Sequence, residues 1–440
     1  MTGRYRATAT LTVLLSALAA RPNPVRAEVS LTTVGDGWEF FSTGRVGAFL
    51  ELLDGDGVPQ AYLGGVPVHP VGNGGISGLS DPVLQPDGTY RQGPLQSFRI
   101  RSGFLGNILG LGVRRPLTER TTLTAFIAIW GTTETDSRRT FFKNLPDERE
   151  AYMKVSGPAG TLLLGRTLSL FSRGATEIDF LYGHGFAVGN PAGFDTNGPS
   201  AGHIGYGVLA NVFVAGIAYA TPVLHGLQLT LGYYDPATFV GLYWTRTKLG
   251  RPEAEATYDA QFGPSARLHL FVNGAWQKLY ATDTPRSTTV YGAGAGGRLE
   301  VGPFHLGVAG HYGQGLGVHY FLDGSDAVLN QYTTQRLRKF DGAYVQSQLV
   351  LGRFDLGLGW GITRIYKLDE DYNQPQYYDP NTNQPKISFL RSQMGISAVV
   401  VCHVTRNLHV AADYFRADAR WWLGEEQIVN GFNLGSTVTW

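Results

Sequence analysis

The sequence predicts an all-β fold, a 16-stranded antiparallel transmembrane β-barrel. Three observations carry this: two-residue alternation of apolar and polar side chains, connections that sort into seven short and eight long, and a composition rich in glycine but poor in charge. Of 440 residues, 59 are glycine, 12% are aromatic and 16% are charged. An ordinary soluble domain carries roughly 25% charged residues. This balance excludes a disordered tail and a helical bundle. A net charge of +1 excludes the basic surface of a nucleic-acid binder, and a single cysteine excludes a disulfide framework.

Residues 1–27 stand outside the barrel. Arg4 and Arg6 precede an apolar run, Leu11 to Ala20, too short to span a bilayer as a helix. Small residues follow, so the segment reads as a secretory signal peptide. Cleavage after Val25-Arg26-Ala27 is preferred to cleavage after Ala17-Leu18-Ala19, because Pro22 and Pro24 keep that segment extended. Residues 28–440 then form the barrel domain, with a net charge of −3. Cys402 reads as a small core-type residue. The apolar stretch 202–224 is interrupted by six glycine, asparagine and proline positions and reads as a strand entering from a loop, not as a helix.

Each strand earns its place by parity, since successive side chains point to opposite faces. In the first strand Trp38, Phe40, Val46, Ala48 and Leu50 share one face, leaving Glu39, Arg45 and Glu51 on the other. In the second, Phe98 and Ile100 oppose Arg99 and Arg101. Two arginines in lipid would cost about 2–4 kcal/mol each near the midplane, so these must face inward. Arg149 and Arg166 have ambiguous parity. Further on, Leu356, Leu358, Trp360 and Ile362 alternate with Asp355, Gly357, Gly359 and Thr363. Leu390, Met394, Ile396, Ala398 and Val400 alternate with Arg391, Gln393 and Ser397. Leu408, Val410, Ala412 and Tyr414 alternate with His409 and Asp413. In the last strand Ile428, Phe432, Leu434, Val438 and Trp440 oppose Gln427, Asn433, Thr437 and Thr439.

The short connections are 115–116, 157–160, 221–226, 263–266, 302–303, 352–353 and 405–407. The long ones are 52–95, 131–147, 169–204, 235–251, 280–287, 315–335, 368–387 and 418–426. They join sixteen strands with both termini on the short-turn side, as in an outer-membrane barrel. Hydrocarbon offers no partner to backbone N–H and C=O groups, so the sheet must close. Sixteen strands leave an aqueous lumen. Trp38, Trp130, Tyr219, Tyr233 and Trp440 near strand ends suit the interfacial girdles.

Several stretches resemble the trimeric general-diffusion porins of Gram-negative outer membranes. They are Glu150-Ala-Tyr-Met-Lys-Val-Ser-Gly, Gly160-Thr-Leu-Leu-Leu-Gly-Arg166 before a long loop, His409-Val-Ala-Ala-Asp-Tyr-Phe-Arg416, and Gln427-Ile-Val-Asn-Gly-Phe-Asn-Leu-Gly435 before a terminal aromatic. The first loop, 52–95, is longer than the family's. The resemblance implies that the third long loop folds inward and narrows the channel, its acidic residues facing a basic ladder on the wall. On this chain that loop is 169–204, with Arg173, Glu177, Asp179 and Asp195. The constriction expected is Glu177 and Asp179 opposite Arg45, Arg99 and Arg101. The resemblance also implies a homotrimer in outer-membrane lipid and lipopolysaccharide, and a Trp440 read by the barrel-assembly machinery.

Other motifs fail on context. Gly292-Ala-Gly-Ala-Gly-Gly297 matches a dinucleotide fingerprint but lies inside a strand. Asp54-Gly-Asp-Gly57 lacks the later ligands of a calcium loop. His269, His305 and His409 fall on polar faces, and no histidine pair has metal-site spacing. No cofactor, metal, nucleic acid or catalytic group is expected. The reading is a passive channel for ions and small hydrophilic solutes. A sugar- or anion-specific channel and an outer-membrane hydrolase are the alternatives.

Overall fold

The computed structural model describes residues 28–440 apart from 65, 70–73, 77–79, 103–105, 132, 134–146, 181–202, 211–212, 238–246, 282–284, 319–336, 369–377, 380–383 and 386–387. The expected signal peptide and Asp195 lie outside the described residues. In order, the strands are β1 (Glu28–Val34), β2 (Trp38–Gly55), β3 (Ala61–Leu63), β4 (Val66–His69), β5 (Ser80–Leu84), β6 (Tyr90–Arg101), β7 (Asn107–Thr118), β8 (Thr121–Gly131), β9 (Asp147–Gly157) and β10 (Gly160–Leu168). Helix α1 (Arg173–Ile178) follows. Then come β11 (Phe213–Ala220), β12 (Leu227–Tyr234), β13 (Arg251–Phe262), β14 (Ala266–Tyr280), β15 (Ser287–Val301), β16 (Phe304–Gln314), β17 (Lys339–Leu351) and β18 (Phe354–Ile365). The last are β19 (Tyr378–Asp379), β20 (Gln384–Pro385), β21 (Leu390–His403), β22 (Leu408–Trp421) and β23 (Glu426–Thr439).

Sixteen staves form a closed antiparallel barrel. β6 and β7 are two halves of one stave, since both pair with β2, at Phe49–Gly55 and Glu39–Arg45 respectively. The last stave, β23, closes the barrel on β2 from Arg45↔Thr439 to Gly55↔Val429. Closure leaves no barrel edge to face lipid. β1 pairs with the lower part of β2, below the C-terminus.

The barrel is apolar outside and polar within. Phe98 and Leu358 are 60% and 65% exposed, whereas Glu51 and Asn433 are fully buried. The expected parity holds in β2, β6, β18, β22 and β23. Gly292–Gly297 lies inside β15, and the stretch from 213 is strand. No helix among the described residues is long and apolar enough to cross a membrane.

Several details differ from the sequence reading, and the loop expected at 418–426 shortens to 422–425 because β22 runs on to Trp421 and β23 starts at Glu426. The turn placed at 115–116 lies at 119–120, because β7 runs on to Thr118. Pro116 is tolerated there since β7 has passed its last β2 pair, Glu39↔Arg114, and has an open edge. Trp130 faces inward and is buried, sharing a face with Phe126 and Ala128 while Ile127 and Ile129 point out. Leu390 is buried because a register shift between Leu390 and Ser392 flips its face. Arg149 owes its ambiguous parity to a bulge: Ala128 pairs with Glu150 and Ile129 with Glu148, and the guanidinium stacks over Trp130. Cys402 is half-buried and lies in register with Phe354 and Val410, not in a core.

Candidate functional site

The lumen is organised around the third loop. It leaves β10 and is caught at once by Glu253 of β13, whose Oε2 accepts the backbone N–H groups of Leu170 and Phe171, both at 2.7 Å. The other oxygen of Glu253 accepts from Arg251 Nε at 2.7 Å. Arg173 opens α1 and donates through Nε to Glu255 at 3.0 Å, with Glu177 Oε1 at 3.9 Å. Burial opposes the Arg173 charge, but Glu255 and Glu177 more than offset it, so its pKa rises above the ordinary value.

The helix packs against β14, β15 and β16. Tyr344 of β17 donates its hydroxyl to Ala175 O at 2.7 Å. Gln346 donates to Ile178 O and accepts from Phe180 N–H at 3.0 Å. Returning, His203 donates its backbone N–H to Asp179 Oδ2 at 2.8 Å, and its ring stacks on Tyr344 at 4.7 Å between centroids. Gly207 N–H reaches Thr363 Oγ1 at 2.9 Å, and Gln393 donates to Gly205 O at 3.2 Å. Glycine lets the loop sit this close. A Cβ on Gly359 would stand 2.5 Å from His203 Nε2 and 2.7 Å from Ser397 Oγ. Tyr206 is fully buried against Phe415, and burial raises its hydroxyl pKa.

The first loop also reaches this wall. Gly75 N–H donates to Gln393 Oε1 and Ile76 N–H to Gln427 Oε1, both at 2.7 Å. Ile76 joins Tyr206, Leu53, Leu95, Phe415 and Val429 in one buried apolar cluster. The two loops therefore meet over β22 and β23.

The expected site residues fall into three places. Arg99 and Arg101 are inward on β6, 5% and 4% exposed, and Arg101 Nη1 lies 3.7 Å from Glu51 Oε1. Arg45 is inward on β2 but paired with Thr439, six residues below Glu51 and close to the short-turn rim. Glu177 and Asp179 are at the end of α1, about half the circumference from β2 and β6 by strand order. Asp179 is buried against His203, while Glu177 keeps 17% of its side chain exposed. Arg166, the ambiguous one, shares the outer face with Leu162 and Leu164, near the long-loop end of β10. Trp440 is on the outer face: its indole covers Gly44 and its Nε1–H reaches Ser42 Oγ at 3.3 Å.

Sequence reading missed the residues that hold the loops: Glu253, Glu255, Tyr344, Gln346, Thr363, Gln393 and Gln427. A signal existed in β13, where Glu253, Glu255 and Thr257 alternate with Ala254, Ala256 and Tyr258.

The sequence profile of the Gram-negative porin family matches residues 32–420. The chain belongs to that family. The porin fold has matching solved structures at low identity. The outer-membrane channel DcaP of Acinetobacter baumannii superposes with a TM-score of 0.64 at 12% identity, covering 94% of this chain and 100% of that one. The anion-selective porin from Comamonas acidovorans gives 0.54 at 12% identity, covering 92% and 100%. The in-vitro folded OmpT of Vibrio cholerae, in trimer form, gives 0.51 at 12%, covering 92% and 100%. No curated protein matches the sequence. This porin is an outer-membrane channel for small solutes.

Proposed function

We propose that this porin is a passive channel without catalytic activity, narrowed at mid-height by its inward-folded third loop, after a signal peptide of residues 1–27 has been removed. The observation that carries the reading is the line of hydrogen bonds from Glu253 through Tyr344 and Gln346 to Thr363 and Gln393, all inward-facing groups that hold both arms of the loop. His203, which binds Asp179, lies against Gly359, seven residues above the short turn at Gly352, while Glu51 is six residues above Arg45 at the same rim. Glu177 and Asp179 then face Arg99 and Arg101 across the narrowest section, and Arg45 continues the basic ladder toward the mouth. Ions passing between opposed charges feel a transverse field that ~0.15 M salt, with a Debye length of ~8 Å, screens only partly. Selection is by width and field, not by chemistry.

The same reading includes a homotrimer seated in outer-membrane lipid and lipopolysaccharide and inserted by the barrel-assembly machinery through Trp440. Reversal potentials under a salt gradient test the constriction. Glu177→Gln with Asp179→Asn shifts selectivity toward anions, and Arg99→Gln with Arg101→Gln shifts it toward cations. Both shifts shrink at ~1 M salt, where the Debye length is ~3 Å. Wild-type potentials in both pairs at low salt would remove these residues from the constriction.

A further inference from the structure

The short-turn mouth of the lumen carries a cluster that the constriction does not use. His403 ends β21, His409 is the second residue of β22, and the two are paired across the strands. Their Nδ1 atoms are 2.8 Å apart, with rings nearly perpendicular. His403 Nε2 lies 2.9 Å from Asp355 Oδ2 of β18. All three residues are on inward positions. We propose that His403 and His409 share one proton and, with Asp355 and Arg45, set a pH-dependent ion preference at this mouth. The proposal rests on the channel reading.

The geometry allows only certain protonation states. A neutral imidazole has one N–H and one bare nitrogen. A carboxylate only accepts, so His403 Nε2 carries a hydrogen. A contact of 2.8 Å between the two Nδ1 atoms then needs one hydrogen between them. If both rings are neutral, His409 donates it. If His403 is cationic, His403 donates it and His409 accepts. Either state keeps every contact. With both rings cationic, two N–H groups would meet head-on, so the second proton must separate the rings. Among the described residues no group of three or more His, Cys, Asp or Glu side chains is arranged to hold a metal ion.

The charges facing the pair come from several elements. Asp355 faces it from β18 and Arg45 from β2, and both act on His409 electrostatically. Arg353 and Arg406 sit in the adjoining short turns, and the backbone of Arg353 accepts from His403 N–H at 2.8 Å. Thr437 of β23, opposite His409, is uncharged. The first proton adds one positive charge beside Arg45, Arg353 and Arg406. The second adds another charge and frees a ring into the lumen. An ordinary imidazole titrates near pH 6.5, which sets the span of pH over which the pair is tested.

Reversal potential measured at ~0.1 M salt between about pH 7.5 and 5 reads this directly. The anion-to-cation permeability ratio is expected to rise about two- to five-fold as the pH falls, from one to two unit charges roughly a Debye length from the ion path. His409→Asn places an amide nitrogen near the Nδ1 position and keeps a donor for His403. It should retain the first step and lose the second. The His403→Asn, His409→Asn pair should lose both, even though inward His269, His305 and His311 remain. Heat-modifiable migration on a gel confirms that each variant is a folded barrel. Conducting channels whose ratio is flat across this range, or a double variant that titrates like the wild type, would overturn the proposal and leave the channel reading intact. A protein that conducts at no pH would instead refute the channel reading.

Discussion

Alanine at Gly361 tests how firmly the third loop is seated. Gly361 faces the lumen on β18, and a Cβ there would fall on the carbonyl oxygen of Tyr206, well inside the 3.0 Å that real Cβ atoms keep. The obstacle is backbone, so no rotamer relieves it. The loop must retreat, and the two bonds beside the clash go with it: Gly207 N–H to Thr363 Oγ1 at 2.9 Å and Gln393 to Gly205 O at 3.2 Å. At about 0.5–1.5 kcal/mol each, their loss is about 1–3 kcal/mol. At about 1.4 kcal/mol per tenfold, the ratio of seated to unseated loop falls roughly 5- to 150-fold. The barrel hydrogen bonds are untouched, so the yield of folded barrel and its heat stability should stay near wild type. Single-channel recording should show a larger and noisier conductance. Gly310→Ala is the control, because its Cβ would meet only Gly342 O at 3.1 Å and Ala343 on the outer face. If Gly361→Ala conducts with wild-type size and noise, the loop does not limit the channel and the reasoning fails.

Three further outcomes are expected. With Cys402 replaced by serine, a cysteine at Asp379 should react with an impermeant reagent on intact cells while one at Pro303 stays protected; the reverse pattern would invert the barrel. Deleting Trp440 removes the cover over Gly44 and the bond to Ser42, and should lower the amount of inserted barrel several-fold while molecules that insert conduct normally. Glu255→Gln leaves Arg173 with Glu177 alone at 3.9 Å, which should cost about 1–3 kcal/mol at this partly exposed ion pair and make the third loop cleavable by protease in the folded barrel; resistance equal to wild type would count against the anchoring role.

The barrel was legible because it is written in period. Alternation marks each stave, and connection length separates the two rims, so sixteen staves and the inward faces of Glu51, Arg99, Arg101 and His409 follow from local sequence. Parity was ambiguous at Arg149 and failed at Leu390, both places where the ladder slips. A bulge at Arg149 and a register shift at Leu390 each turn a side chain to the other face, and neither has a local sequence mark. Trp130 misleads because an aromatic near a strand end serves a girdle or a lumen equally well. Its neighbours Ile127 and Ile129, both exposed, decide the matter. The loop anchors were not legible. Leu170 meets Glu253 across 83 residues, and Tyr344 meets Ala175 across 169. Such contacts depend on how the closed barrel brings distant staves to one loop, which no periodicity records. The first loop shows the same limit: its length was visible, but not that Ile76 would meet Tyr206 inside the barrel.

Planar-bilayer recording of the purified, folded full chain tests the central claim most directly. The account predicts discrete conductance steps on insertion, arriving in groups of three, with an ion preference that weakens as salt is raised. A heat-modifiable, correctly folded barrel that inserts into the bilayer and passes no measurable current would contradict it.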